Sequence, residues 1–116
     1  MNPLPHATTK DVCLWLLRRY LRLRIQGDSM LPTLKPQQET LIDPRAYKHT
    51  HPFPGDVVIA DHPQQPGLRI VKRVLFVESD GRCYLQGDNK LESNDSRQFG
   101  LVPLNKIRGK ICCLLP

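Results

Sequence analysis

Apolar residues cluster in a helix-like stretch once, near the start of the chain; beyond it they alternate with polar ones or gather in short runs. Val12–Leu17 is a run of six apolar residues stopped by Arg18 and Arg19. Thr8 or Thr9 predicts a cap for a helix reaching about Arg19, with Asp11 in its first turn where the helix dipole favours an anion. Leu21, Leu23 and Ile25 then alternate with Tyr20, Arg22 and Arg24, the period of a half-buried strand that leads into Gly27 and Ser29. Glu39 to Asp43 reads as a short strand closed by Pro44, and Val57 to Ala60 as a buried one. Leu68 to Val77 is the longest strand. Ser79-Asp80-Gly81 is a hairpin signal leading into Cys83-Tyr84-Leu85. A polar loop from Gly87 to Gly100, a turn around Pro103 to Lys106 and a strand from Arg108 to Leu115 complete the pattern. The expectation is a mainly β fold with one short N-terminal helix: a helical segment over 1–19 and a β-rich core over 20–116, together a single domain. Eleven prolines and seven glycines support many turns over a helical bundle.

One position breaks the alternation. Leu68, Ile70, Lys72, Val74 and Phe76 share one face of the long strand, because side chains alternate across a sheet. Lys72 is the only polar member of that row, so it is expected to point inward. Burial disfavours an ammonium and lowers its pKa, by as much as about 3–5 units when complete. A neutral amine near Ser29 can take the hydroxyl proton and turn the oxygen into a nucleophile. The plainer reading is an edge lysine that snorkels to water.

Charge and cysteines narrow the field. A formal charge of +6 suits nucleic acid, an anionic membrane or an acidic protein substrate. No helix-turn-helix or aromatic stacking motif accompanies it, so nucleic acid is not the expected partner. The apolar run is too short to span a bilayer, which takes about twenty residues. Its arginines follow the apolar core, the reverse of a cleavable leader. The N-terminal helix either packs on the core or rests on an anionic membrane through Arg18, Arg19 and Arg22, which helical spacing places beside Trp15; packing is the preferred reading. Cys13, Cys83, Cys112 and Cys113 form no C-x-x-C pair and are expected to be reduced and mostly buried, in a cytoplasmic setting. His6, His49, His51 and His62 lack ligand spacing, and the oxygens of Asp88, Asn89, Glu92 and Asp95 are not spaced as an EF-hand, so neither metal nor cofactor is expected.

Three stretches carry a resemblance. Gly27-Asp28-Ser29-Met30-Leu31-Pro32-Thr33-Leu34 resembles the nucleophile box of the signal peptidase I family, S-M-x-P-T-L. Ile70-Val71-Lys72-Arg73-Val74 resembles its general-base box. Gln86-Gly87-Asp88-Asn89 with Ser93-Asn94-Asp95-Ser96-Arg97 is similar to its third box, G-D-N-x-x-x-S-x-D-S-R, and Phe99-Gly100-Leu101-Val102-Pro103 continues the match. The resemblance implies a small signal-peptidase/LexA-like β-fold and a serine endopeptidase with a Ser-Lys dyad. It makes Ser29 the nucleophile, Lys72 the base, Ser93 the hydroxyl that orients the base, and Asp95 with Arg97 a structural ion pair. Where many members place a serine as second oxyanion donor, this chain has Gly27. The membrane anchor usual in the family is not found, and neither is the large inserted β-domain, for which the 15 positions from Lys72 to Gly87 leave no room.

This reduced form most resembles the short peptidases that mature nickel-type superoxide dismutase by removing a leader from the precursor; the nickel then belongs to the substrate. Two rival readings stand beside it. One is a general signal peptidase homologue acting on exported preproteins, akin to mitochondrial inner-membrane or conjugation-type peptidases. The other is a non-enzymatic basic β-domain that binds nucleic acid.

Overall fold

The computed structural model describes residues 2–92 and 94–116. Six strands form one antiparallel sheet: β1 (Leu21–Arg24), β2 (Glu39–Asp43), β3 (Val57–Asp61), β4 (Arg69–Val77), β5 (Cys83–Gln86) and β6 (Ile107–Leu114). Their spatial order is β1-β2-β6-β3-β4-β5, so β1 and β5 are the edges. Residues at the centre are buried on both faces. Val57 and Ile59 of β3 join Ile25, Met30, Leu34 and Ile111 in one apolar cluster, whereas Val58 and Ala60 join Ile70, Val74, Leu85 and Val102 in another. The alternation of a strand sends neighbours to opposite faces, and here each face has its own core.

The elements follow the sequence pattern, with shifts that have local causes. Helix α1 spans Thr9–Leu16, capped by Thr8, whose hydroxyl accepts the Asp11 amide while the Asp11 carboxylate accepts the Thr8 N–H. It ends three residues before the expected Arg19, because Arg18 takes a left-handed backbone, φ 61°. Arg18 and Arg19 therefore lie beyond the helix and Arg22 lies on β1, so no basic helical face forms from them. Arg22 instead stacks its guanidinium over the Trp15 ring at 5.9 Å. No residue of α1 is fully buried, but Asp11, Val12, Leu14 and Trp15 are half-buried, so one side of the helix rests on the domain. Ahead of it the chain is extended: His6 bridges Leu114 in parallel and Leu4 packs against the first core cluster.

β2 has the expected limits. The expected loop from Gly87 to Gly100 contains a short helix, α2 (Ser96–Phe99), capped by Asp95. On β4 the inward row is shorter than the alternation predicts. Ile70, Lys72 and Val74 are buried, but Leu68 is 39% and Phe76 42% exposed. A register shift against β5 between Val74 and Phe76 reverses the phase there, and Phe76 stacks on Tyr84 instead. Of the cysteines, all free, Cys83 and Cys113 are buried, Cys112 is partly so, and Cys13 is exposed. Among the described residues no helix is long and apolar enough to cross a membrane.

Candidate active site

Ser29 does not end a strand. β1 stops at Arg24, and Ser29 sits in the turns that follow, after Gly27 with its left-handed φ of 75°. Two apolar anchors hold this segment: Met30 and Leu34 are buried at 2% and 0% exposure, and the Leu34 amide donates to the Met30 carbonyl at 3.0 Å. Truncating either to alanine is expected to cost about 2–5 kcal/mol. The turn is also fastened from outside. The Ser29 carbonyl accepts the Asn89 amide at 2.9 Å, and the Asn89 side-chain amide donates to the Asp28 carbonyl at 2.9 Å.

Lys72 arrives from the other wall. It pairs across the sheet with Val58, which is fully buried, and is itself only 4% exposed. Burial pushes its ammonium below the ordinary lysine range; the charges of Asp95 and Glu92 pull the other way, and Arg97 adds to the lowering. Ser29 and Lys72 line one cavity of about 400 Å³ together with Gly27, Met30, Ile59 and Ile70. Gly87 shows how tightly the two walls meet. A Cβ built on it would lie 2.6 Å from the Ser29 carbonyl oxygen and 3.6 Å from Lys72 Nζ. Only a glycine lets the backbone of the third motif pass between the serine turn and the lysine.

Asp95 holds that backbone in place. Its fully buried carboxylate accepts the Gly87 amide at 3.0 Å and the Arg97 guanidinium at 3.0 and 2.8 Å. Burial alone would raise its pKa; the hydrogen bonds from Arg97 and from the Gly87 and Arg97 amides overcome this and hold it below the usual carboxylate range. Ser96, next in line, accepts the Leu85 amide at 2.8 Å and ties α2 to β5. Gly27 lines the cavity without a hydroxyl to offer. Ser93, the expected orienter of the lysine, lies outside the described residues.

A second buried pair was not singled out from the sequence. Asp88 takes a two-pronged grip from Arg73, at 2.9 and 3.0 Å, and also accepts the Thr33 hydroxyl. Arg73 donates as well to the carbonyls of Gly55 and Asn2. Thr33 belongs to the serine segment, Arg73 to the lysine strand and Asp88 to the third motif. The signal available in the sequence was the position of each, one to four residues from a named site residue, but pairing over 55 and 15 positions is not legible locally. Among the described residues no group of three or more His, Cys, Asp or Glu side chains is placed to hold a metal ion. His62 is buried edge-on against Phe99 and accepts the Gln64 amide.

Comparison with known proteins identifies a family. The signal peptidase family, peptidase S26, matches residues 12–81 and 77–115. Mitochondrial inner membrane protease subunit 1 of Xenopus tropicalis is 33% identical over 105 residues, covering 74% of this chain and 63% of its own length. Mitochondrial ATP-independent inner membrane protease subunit 1b of Arabidopsis thaliana is 34% identical over 107 residues, with 73% and 63% covered. Mitochondrial inner membrane protease subunit 2 of Danio rerio is 30% identical over 108 residues, with 75% and 59% covered. The chain thus spans about three fifths of the length of these relatives.

Proposed function

Because the chain belongs to the signal peptidase family, peptidase S26, we propose that it is a serine endopeptidase that removes a leader peptide from a precursor protein. The observation that carries this reading is Lys72, a lysine only 4% exposed, lining the same cavity as a partly exposed serine. Ser29 is the nucleophile and Lys72 the general base. Ser29 Oγ attacks the scissile carbonyl as its proton passes to Lys72 Nζ, and the Ser29 amide faces the developing oxyanion. Lys72 then protonates the leaving amine, an acyl-enzyme remains, and water activated by the same amine releases the leader. Asp95 and Arg97 position Gly87, and Gly87 in turn lies between the Ser29 backbone and the Lys72 amine.

The sheet offers a place for an extended substrate. β1 is an edge strand, and β5 pairs with β4 only from Arg73 onward, so among the described residues the stretch from Arg69 to Lys72 has no strand on that side. Leu23 and Arg24 on one wall and Arg69 to Lys72 on the other line the cavity. A peptide between them gains backbone hydrogen bonds on the pattern of strand addition. The substrate we favour is the precursor of a nickel-type superoxide dismutase, with the metal entering that protein after cleavage. The relatives support a second reading, a processing peptidase for exported preproteins at a membrane, since they are named as mitochondrial inner membrane proteases. Peripheral contact with anionic lipid fits either, through Leu16 and Leu17, which stand 71% and 72% exposed beside Arg18 and Arg19.

The test is incubation of purified protein with both kinds of precursor, followed by sequencing of the new amino termini. One discrete cut in a precursor, lost in Ser29→Ala and Lys72→Ala with the fold retained, is the expected result. Normal turnover by purified Ser29→Ala overturns the assignment.

A further inference from the structure

The walls of the cavity carry more than the catalytic pair. Asp28 and Glu92 line it near Ser29, whereas Arg24 and Arg69 line it further along β1 and β4. Arg69 stands three residues before Lys72, about 10 Å along the strand at about 3.3 Å per residue. Each of these arginines shares its counter-charge with another arginine. Glu39 accepts Arg24 through one oxygen at 2.8 Å and Arg22 through the other at 2.9 Å. Asp61 is taken by Arg108, whose Nε donates at 2.7 Å, while Arg69 approaches no closer than 3.5 Å. One carboxylate therefore answers two guanidiniums on each wall, and each wall keeps an excess of one positive charge. Both side chains reach water, Arg24 at 56% and Arg69 at 64% exposure.

We propose that this paired excess selects a leader with an acidic side chain four or five residues before the scissile bond. The inference rests on the peptidase reading for its register. The leader stays attached to Ser29 through deacylation while the mature segment departs. A groove built from two strands and ending at the nucleophile serves the part that must be held through both steps, and a carboxylate seated between Arg24 and Arg69 lies at the distance the strand rise sets. Asp28 and Glu92 at the catalytic end disfavour an acidic residue beside the cut itself, so the preference is positional and not a general taste for acidic peptides.

Binding to the full-length Ser29→Ala protein tests this without requiring turnover. Fluorescent leader peptides carry Asp, Ala or Lys in turn at each position on both sides of the cut, and affinity is read by anisotropy at low salt. Asp at the fourth or fifth position before the cut is expected to bind about two- to fivefold tighter than Ala, the range of exposed charge pairs, with Lys weaker still. The difference is expected to vanish in 1 M salt, where screening acts within about 3 Å. Arg69→Glu should invert the order of Asp and Lys, and Arg108→Gln, which frees Asp61 to neutralise Arg69, should flatten it. Arg69→Gln, checked by its melting curve, serves if the charge reversal disturbs folding. Equal binding of Asp, Ala and Lys peptides overturns the proposal, as does an order unchanged by Arg69→Glu or a preference confined to the mature side. Cleavage of the Ala peptide by the unsubstituted protein reports separately on the hydrolase: its absence with the charge preference intact would remove the peptidase reading and leave the acidic-peptide groove standing.

Discussion

Gly87 lies against Ser29 so closely that a methyl group on it would stand 2.6 Å from the Ser29 carbonyl oxygen. The obstructing atom is backbone and cannot swing aside as a side chain can. The Asn89 amide, two residues on, donates to that same oxygen, so the loop has no freedom to retreat without breaking the bond. Gly87→Ala is therefore expected to move the serine turn away from Lys72 and reduce cleavage at least about tenfold, since misplacement by about 1 Å costs about a hundredfold in catalysis. The measurement is kcat/KM on a peptide substrate alongside a melting curve. An alanine variant with full activity would show that the two walls are less tightly joined than described.

The pH profile should follow Lys72. Burial holds its amine below the ordinary value near 10.5, so the reactive neutral form accumulates as pH rises and cleavage should climb to a plateau below that value. Stability carries the matching sign. Between the folded and unfolded pKa values the unfolded chain binds a proton that the folded chain has lost, so stability rises with pH across that window. Lys72→Met should accordingly melt higher than the parent at neutral pH, with an advantage that shrinks as pH approaches 10.5, while losing all cleavage. Melting curves across pH decide this, and a methionine variant that melts lower at neutral pH would contradict it.

Removing Asp88 should be among the costlier single changes in the molecule. Its side chain is 1% exposed and that of Arg73 12%, so Asp88→Ala strands a guanidinium away from water. Breaking such a pair costs about 3–5 kcal/mol. Urea unfolding measures the loss directly, and a change below about 1 kcal/mol would mean the arginine finds water or another partner. Arg73→Lys, which keeps the charge but not the two-pronged geometry, should lie between.

Contact with lipid is read by co-sedimentation with vesicles. Leu16 and Leu17 stand 71% and 72% exposed beside Arg18 and Arg19. The protein should sediment with vesicles rich in anionic lipid and weakly with neutral ones, and the double change Leu16→Ser with Leu17→Ser should weaken it. Equal sedimentation of the double variant would place any contact elsewhere.

Much of this was legible from local pattern. Alternation located β1 and β4, a continuous apolar run β3 and a hairpin signal β5, and the single polar residue in an apolar row marked Lys72 as inward-facing, which its burial matches. Part of what failed depends on residues far apart in sequence, and part on single backbone conformations and caps. The bulge after Val74 arises from register against β5, so Phe76 left the inward row without any local sign. The end of α1 turned on the backbone of Arg18, and α2 on the capping of Asp95, whose side chain serves Gly87 at the same time. Asp88 looked like one oxygen in a polar loop. Its partners lie 15 and 55 positions away, and no periodicity reaches that far.

The cross-bracing by Arg73, Asp88 and Thr33 sets a limit on rebuilding this protein. Each of the three motifs contributes one member, and Arg73 also grips the carbonyls of Gly55 and Asn2. Transplanting any one stretch into a distant scaffold would deliver a fragment of a clasp whose other parts stayed behind. Chimaeras ought to succeed only when all three travel together, and in directed evolution profitable changes at these positions should arrive as sets.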